Sequence, residues 1–108
     1  MSKFTKSERR ALREIASEVH ETEMRRLLVQ LDARFESWRG GNLPSFDLVR
    51  EIHEFHDYDS RDLWSLYRIL DEVTLAARGV ALGLVPQSRV PAEILEKLAP
   101  EIERLRPQ

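Results

Sequence analysis

The chain has 108 residues, of which 33% are charged and 42% hydrophobic, and it contains no cysteine. This length suits one domain and is too short for two independent hydrophobic cores. The lack of cysteine excludes disulfides, a thiolate nucleophile and Cys-based zinc or iron–sulfur sites. No apolar run is long enough for a membrane-spanning helix, and the basic first 13 residues lack the apolar stretch of a secretory signal, so we expect a cytoplasmic protein.

The formal net charge is −2, but the sign of the charge changes along the chain. Residues 1–13 carry five basic side chains against one acid, a balance of +4, whereas residues 41–72 carry eight acids against three arginines, a balance of −5. A phosphate-binding surface gathers Lys and Arg on one face of a basic domain. We therefore expect neither a nucleic acid nor a membrane as partner.

The first predicted element is one long helix, which begins at a Ser7 cap and runs to Trp38 before Gly40 and Gly41 end it. Its first half carries one apolar stripe, and the stripe of its second half is rotated by roughly a quarter turn. The rotation falls at residues 20–23, where no large apolar residue stands. The helix either bends there or contacts different partners with its two halves.

The length of this helix bears on function. About 30 residues at 1.5 Å rise make a helix of roughly 45 Å, longer than so small a domain readily covers. We therefore expect the second stripe to be either core or the interface with a second copy of the chain. Its residues are the candidate interface: Met24, Leu28, Leu31, Phe35 and Trp38.

The middle of the chain predicts two shorter helices. Ser45 is placed to cap a helix that runs to about Phe55, which carries an apolar side. Residues 56–59 are polar and predict a turn. A further helix follows over residues 60–70, with Asp or Ser at its start as cap.

The last part of the chain predicts further helices. Asp71 is expected to begin a helix over residues 73–82, and Gly83 is expected to end it. Its small residues let neighbouring backbones approach closely. Pro91 opens another helix at the position that proline favours. Pro100 is expected to break that helix.

No stretch has the alternating pattern of a strand, and no internal repeat is present. The sequence therefore predicts an all-α fold, a small bundle of five or six helices with one long N-terminal helix. We expect a single helical domain over residues 1–108, frayed at residues 1–6 and 104–108.

Several spaced motifs extend over most of the chain: Phe35-x-x-Trp38-x-x-Gly41, Phe46-x-Leu48, Ile52-His53-x-Phe55-His56, Arg61-x-Leu63-Trp64, Ala81-Leu82-Gly83-Leu84 and Val90-Pro91. This pattern resembles a group of short, uncharacterised all-α bacterial proteins. Tyr58 stands where that group has a glycine in the turn. The resemblance implies a small helical domain and carries no activity with it.

His53 and His56 form the most suggestive chemical feature. Histidines three residues apart share a helix face and can both bind a metal. Two imidazoles do not fill a tetrahedral site, and no third ligand stands at a fixed spacing. We therefore predict no metal, no cofactor and no catalytic residue, and expect each ring to pack as a partly buried side chain.

An enzyme centred on His53 and His56 is the alternative that we keep. It is a metal-assisted hydrolase or a ribonuclease of the HEPN type, an all-α class with an Arg-x(4–6)-His motif. Arg50 with His56 matches that motif, and so does Arg13 with His20. A chain so rich in arginine produces such matches by chance.

The aromatic side chains cluster toward the middle of the chain, and Tyr58 in a polar turn is the one least easily explained by packing. Arg61 is placed to hold an anion together with the adjoining helix amides. We therefore define a candidate ligand pocket by its residues: His53, His56, Tyr58, Arg61 and Trp64.

Taken together, the residues favour a protein that acts by protein–protein interaction. The first expected partner is a second copy of the chain, in a homodimer, and another protein is the further expected partner. The expected mechanism is burial of apolar helix surface across a two-fold interface.

Overall fold

The computed structural model describes residues 3–108, and Met1 and Ser2 lie outside the described part. Within it the secondary structure is helical, so the predicted all-α class and the long N-terminal helix are confirmed. None of the helices over residues 3–108 combines the length and apolar character needed to cross a bilayer. The helices are α1 (Lys6–Arg39), α2 (Ser45–Glu54), α3 (Ser60–Ile69), α4 (Glu72–Ala81) and α5 (Ala92–Leu105), with a 3₁₀ turn at Gln87–Arg89.

The predicted turn at residues 56–59 is wrong, because a π-helical segment, Phe55–Asp59, joins α2 directly to α3. The Ser60 N–H donates to the Phe55 carbonyl, five residues back, which is the π-type bond. The Ser60 hydroxyl donates to the His56 carbonyl over 3.2 Å. Because the π segment makes α2 and α3 one continuous helix, residues 3–108 form four helices: α1, the α2–α3 helix, α4 and α5. The predicted five or six helices are not matched.

α1 begins with a reciprocal cap two residues earlier than predicted. The Glu8 N–H donates to Thr5 Oγ1 over 3.1 Å, and the Thr5 N–H donates to Glu8 Oε1 over 2.8 Å. This is a capping box, so Thr5 caps the helix and Ser7 does not. At the other end Gly41 has a φ of +80°, which permits the tight turn that ends α1 as predicted.

The predicted ends of α4 are confirmed, whereas the break predicted at Pro100 is wrong. Asp71 Oδ1 accepts the Thr74 N–H over 2.8 Å at the start of α4, and Gly83, with a φ of +71°, follows its end. Pro100 lies inside α5. The buried row of that helix continues beyond the proline to Ile102, so packing overrides the local preference.

The described chain divides into two compact units. We name residues 3–22 with Ile69–Gln108 the core unit and Glu23–Arg68 the hairpin unit. The division falls next to residues 20–23, where the apolar stripe of α1 changes direction. The first half of α1 therefore packs within the core unit and the second half within the hairpin unit.

The core unit contains most of the buried apolar side chains. α4 packs against α5. Glu72 of α4 also forms ion pairs with Arg9 and Arg13 of α1, each at 3.9 Å. Lys97 Nζ donates to Glu8 Oε1 over 2.7 Å and to the Lys3 carbonyl over 2.9 Å. The buried side chains come from every element of the unit: Phe4, Leu12, Ile15, Ala16, Val19, Leu75, Ala76, Ala77, Leu84, Val85, Val90, Ile94, Leu98 and Ile102.

The hairpin unit consists of the second half of α1 and the continuous helix formed by α2, the π segment and α3. Side-chain hydrogen bonds between three residue pairs join the two helices: Trp38 Nε1 to Ser45 Oγ at 2.8 Å, Arg34 Nε to both Glu51 carboxylate oxygens at 2.8 and 2.9 Å, and Tyr67 Oη to Glu23 Oε1 at 2.8 Å. From one pair to the next, the residue number decreases along α1 and increases along α2 and α3. The two helices are therefore antiparallel.

The single domain over residues 1–108 stays a prediction. At the amino end, where fraying is expected over residues 1–6, Phe4 is 7% exposed and Lys3 Nζ donates to the Lys97 carbonyl over 2.8 Å. Met1 and Ser2 of that segment lie outside the described residues.

Candidate functional site

The hairpin unit leaves much of its apolar surface exposed. Its buried apolar side chains are Leu48 and Leu63. Its exposed large apolar side chains are Leu28, Val29, Trp38, Phe46, Val49, Ile52, Tyr58 and Trp64. The core unit, by contrast, has Ile69 and Leu82 as its exposed large apolar residues.

The architecture of the hairpin unit explains this difference. Two antiparallel helices share one contact face, so an apolar residue on any other face has nothing in the unit to cover it. A contiguous apolar surface with a polar rim is typical of a protein-interaction site. The hairpin unit is therefore the candidate interaction region of the chain.

The exposed apolar surface of α2 forms a row at a spacing of three residues. Phe46 is 81% exposed, Val49 52% and Ile52 37%. Residues three apart on a helix are neighbours on its surface. Trp38, itself 40% exposed, lies at the Phe46 end of this row because its indole bonds Ser45. We name Trp38, Phe46, Val49 and Ile52 the α2 row.

The predicted interface stripe on α1 divides between the inside and the surface of the hairpin. Met24, Leu31 and Phe35 are half-buried, whereas Leu28 and Trp38 are exposed. The half-buried members lie on the side of α1 that bonds α2 and α3. The stripe thus serves mainly as the contact face of the hairpin. The spacing of Phe46, Val49 and Ile52 in the sequence indicates one apolar helix face. The same spacing is typical of a face that packs in a core, so it does not predict that the α2 row is exposed.

A groove of about 450 Å³ opens within the hairpin unit around part of the candidate ligand pocket. The structure brings His56, Arg61 and Trp64 together at its wall, and it does not bring His53 or Tyr58 to the groove. Sequence reasoning missed the other lining residues: Met24, Asp57 and Ser60.

The expected help from helix amides at this pocket is wrong. The Ser60 N–H donates to Phe55 within the π segment, so α3 does not begin with free amides that an anion could bind. Asp57 adds an acid to the same wall, which opposes an anion there. Trp64 is stacked by Arg68, whose guanidinium carbon lies 4.6 Å from the ring centroid. This stack gives one ring face an intramolecular partner.

His53 and His56 are both exposed, so the expected partial burial of these rings is wrong. Over residues 3–108, no group of three or more His, Asp or Glu side chains converges in a way that could hold a metal ion. Arg50 of the HEPN-like match pairs with Asp47 at 3.2 Å. The enzymatic alternative stays a prediction, and the geometry of these residues adds nothing to it.

No family model, no curated protein and no solved structure matches the chain.

Proposed function

We propose that the protein acts by binding another macromolecule through the hairpin unit, beginning with a second copy of itself. The single observation that carries the proposal is the unequal burial of the two units. The hairpin unit buries Leu48 and Leu63, while the residues of the α2 row stay in contact with solvent.

The energetics support a dimer. Burying a large apolar side chain that is otherwise exposed contributes about 1.5–3 kcal/mol. Phe46 is 81% exposed, so most of this free energy is gained only if a partner buries it. In a two-fold interface the Phe46 of both copies is buried, so the gain is counted twice. Aromatic side chains are also the residues enriched at the energetic centres of interfaces.

The experiment compares two charge substitutions at positions of nearly equal exposure. Phe46→Glu places a carboxylate in the α2 row, and Ile69→Glu, where the isoleucine is 79% exposed, places one at the end of α3. Because both side chains are already in solvent, neither change removes a core contact. Sedimentation velocity across a concentration series then reports association.

We expect Phe46→Glu to weaken association at least tenfold, which corresponds to about 1.4 kcal/mol. We expect Ile69→Glu to associate like the parent chain. If Phe46→Glu associates as tightly as the parent chain, the α2 row is not the interface. A parent chain that sediments as a monomer throughout contradicts self-association.

A further inference from the structure

The groove that contains Trp64 has the size and the lining of a small-molecule site. Its volume is about 450 Å³, within the range of about 300–1,000 Å³ that is typical of ligand pockets. Met24 and Trp64 supply apolar lining, and Asp57 and Arg61 are charged side chains at the wall. Ligand sites combine apolar contact area with a few polar groups that fix the orientation of the ligand.

Arg61 differs from the other arginines of the hairpin unit. Its side chain is exposed, and over residues 3–108 it forms no hydrogen bond, ion pair or ring contact. Each of the others has a partner: Arg25, Arg26, Arg34, Arg39, Arg50 and Arg68. The guanidinium of Arg61 therefore keeps its five N–H donors for a group that enters the groove.

Asp57 stands four residues before Arg61, yet the two side chains do not pair. An acid and an arginine at this spacing are neighbours on an α-helix and stabilise each other. Here the spacing crosses the end of the π segment, and within the described chain the exposed Asp57 carboxylate forms no ion pair. The wall of the groove thus presents one free carboxylate and one free guanidinium, about one helical turn apart.

We propose that this groove binds a free amino acid with an aromatic side chain. Arg61 holds the α-carboxylate of the ligand, Asp57 holds its α-ammonium group, and Trp64 contacts its ring. A ligand with a negative charge alone is repelled by Asp57, and one with a positive charge alone is repelled by Arg61, so the pair selects a zwitterion. The inference concerns a small molecule and does not depend on the self-association proposed above.

The apolar lining favours an aromatic ring as the uncharged part of the ligand. The Trp64 side chain is 53% exposed, and Arg68 covers one face of its ring. The rest of the indole is available for a second ring, which is stabilised in an offset or edge-to-face contact. Met24 is half-buried at the same groove, and its thioether adapts to the shape of an aromatic neighbour.

Three probes that share a phenyl ring separate the two charges. L-Phenylalanine carries both, 3-phenylpropanoate carries the carboxylate alone, and 2-phenylethylamine carries the ammonium alone. An NMR titration that follows the indole N–H of Trp64 measures each Kd, with the indole of Trp38 as internal reference. We expect L-phenylalanine to bind with a Kd of about 1 mM or tighter, and the other two at least about tenfold more weakly.

Two neutral substitutions test the charged side chains one at a time. Arg61→Gln and Asp57→Asn should each weaken the binding of L-phenylalanine at least about tenfold, because each removes a charge-assisted hydrogen bond. Arg10→Gln and Asp62→Asn are the matched controls, since both side chains are exposed and neither lines the groove. We expect the controls to bind like the parent chain. All four positions are exposed, so each variant should keep the fold.

Three results would overturn the proposal. The first is a Trp64 indole signal that does not shift with L-phenylalanine up to about 10 mM, tenfold above the expected Kd. The second is equal affinity for the three probes, which would show that the charges do not select the ligand. The third is unchanged affinity for L-phenylalanine in Arg61→Gln or in Asp57→Asn.

Discussion

Trp38 donates its indole N–H to the Ser45 hydroxyl over 2.8 Å, and this bond joins the last turn of α1 to the first turn of α2. It closes the hairpin beside the glycine turn and fixes the indole at the Phe46 end of the α2 row. The bond therefore contributes to the folding of the hairpin and to the shape of the surface that we assign to the second copy.

Removal of the Ser45 hydroxyl should destabilise the chain modestly. Ser45→Ala leaves the Trp38 N–H without this acceptor, and we expect the free energy of unfolding to fall by about 0.5–1.5 kcal/mol. Urea unfolding followed by tryptophan fluorescence measures the change. Ser88→Ala, an exposed serine in the 3₁₀ turn, is the control and should stay within about 0.5 kcal/mol of the parent.

An alanine at position 79 should destabilise the core unit. A Cβ at Gly79 would clash with Val19 Cγ2, since the two backbones approach closely there, as the small residues of α4 predict. Overpacking of this kind costs about 1–3 kcal/mol. Thermal and urea unfolding of Gly79→Ala measure the cost.

Gly40→Ala provides the comparison for that measurement. A Cβ at Gly40 meets Asn42 Nδ2 at 3.4 Å and the Glu36 carbonyl at 3.5 Å, which are ordinary contact distances. We expect this variant to unfold like the parent. Equal stability of Gly79→Ala and Gly40→Ala would contradict the close packing of α1 on α4.

Much of the helix pattern follows from local signals in the sequence. Gly41 and Gly83 are placed where a chain can leave a helix, and the Asp71 side chain reaches the backbone three residues on. Thr5 and Glu8 carry the T-x-x-E spacing of a capping box, so the true start of α1 was also readable. Ser7 lacks such a reciprocal partner three residues on, because residue 10 is an arginine.

The π segment is a different case, because it depends on packing between helices. The polar residues 56–59 are typical of a turn. Here the chain continues as a helix, with Glu51 before the segment and Tyr67 after it both bonded to α1. Periodicity within one helix does not contain that information.

The sequence does not show which apolar helix face is exposed, for a related reason. An amphipathic stripe shows that a helix face packs against something, and it does not show whether the partner belongs to the same chain. The stripe with Leu31 and Phe35 is half-buried in the hairpin, and the row with Phe46 and Val49 is exposed. The sequence predicts more apolar helix surface than the chain covers. That part of this surface lies exposed on α2 is known only from the fold.

The stability of the chain should depend on pH through Glu8. The hydrogen bond from Lys97, followed by that from the Thr5 N–H, holds the pKa of the Glu8 carboxyl below its ordinary value of 4.5. The unfolded chain therefore binds this proton more readily than the folded one. The stabilisation is complete above about pH 4.5 and is lost as the pH falls through the lowered folded-state pKa.

Glu8→Gln tests that dependence. The variant should unfold more easily than the parent at pH 7, because the neutral amide forms neither the ion pair with Lys97 nor as strong a cap. The difference between the two chains should shrink as the pH falls below about 4.5, where the parent's carboxyl also becomes neutral. A difference that stays constant from pH 7 to pH 3 would exclude the Glu8 carboxylate as its source.

The most direct test of the central claim is the mass of the unmodified chain in solution, measured by sedimentation equilibrium over a range of micromolar concentrations. Self-association through the hairpin unit predicts a species of twice the chain mass of 12.7 kDa, in equilibrium with the single chain at the lowest concentrations. A single species of 12.7 kDa up to about 100 μM would contradict it.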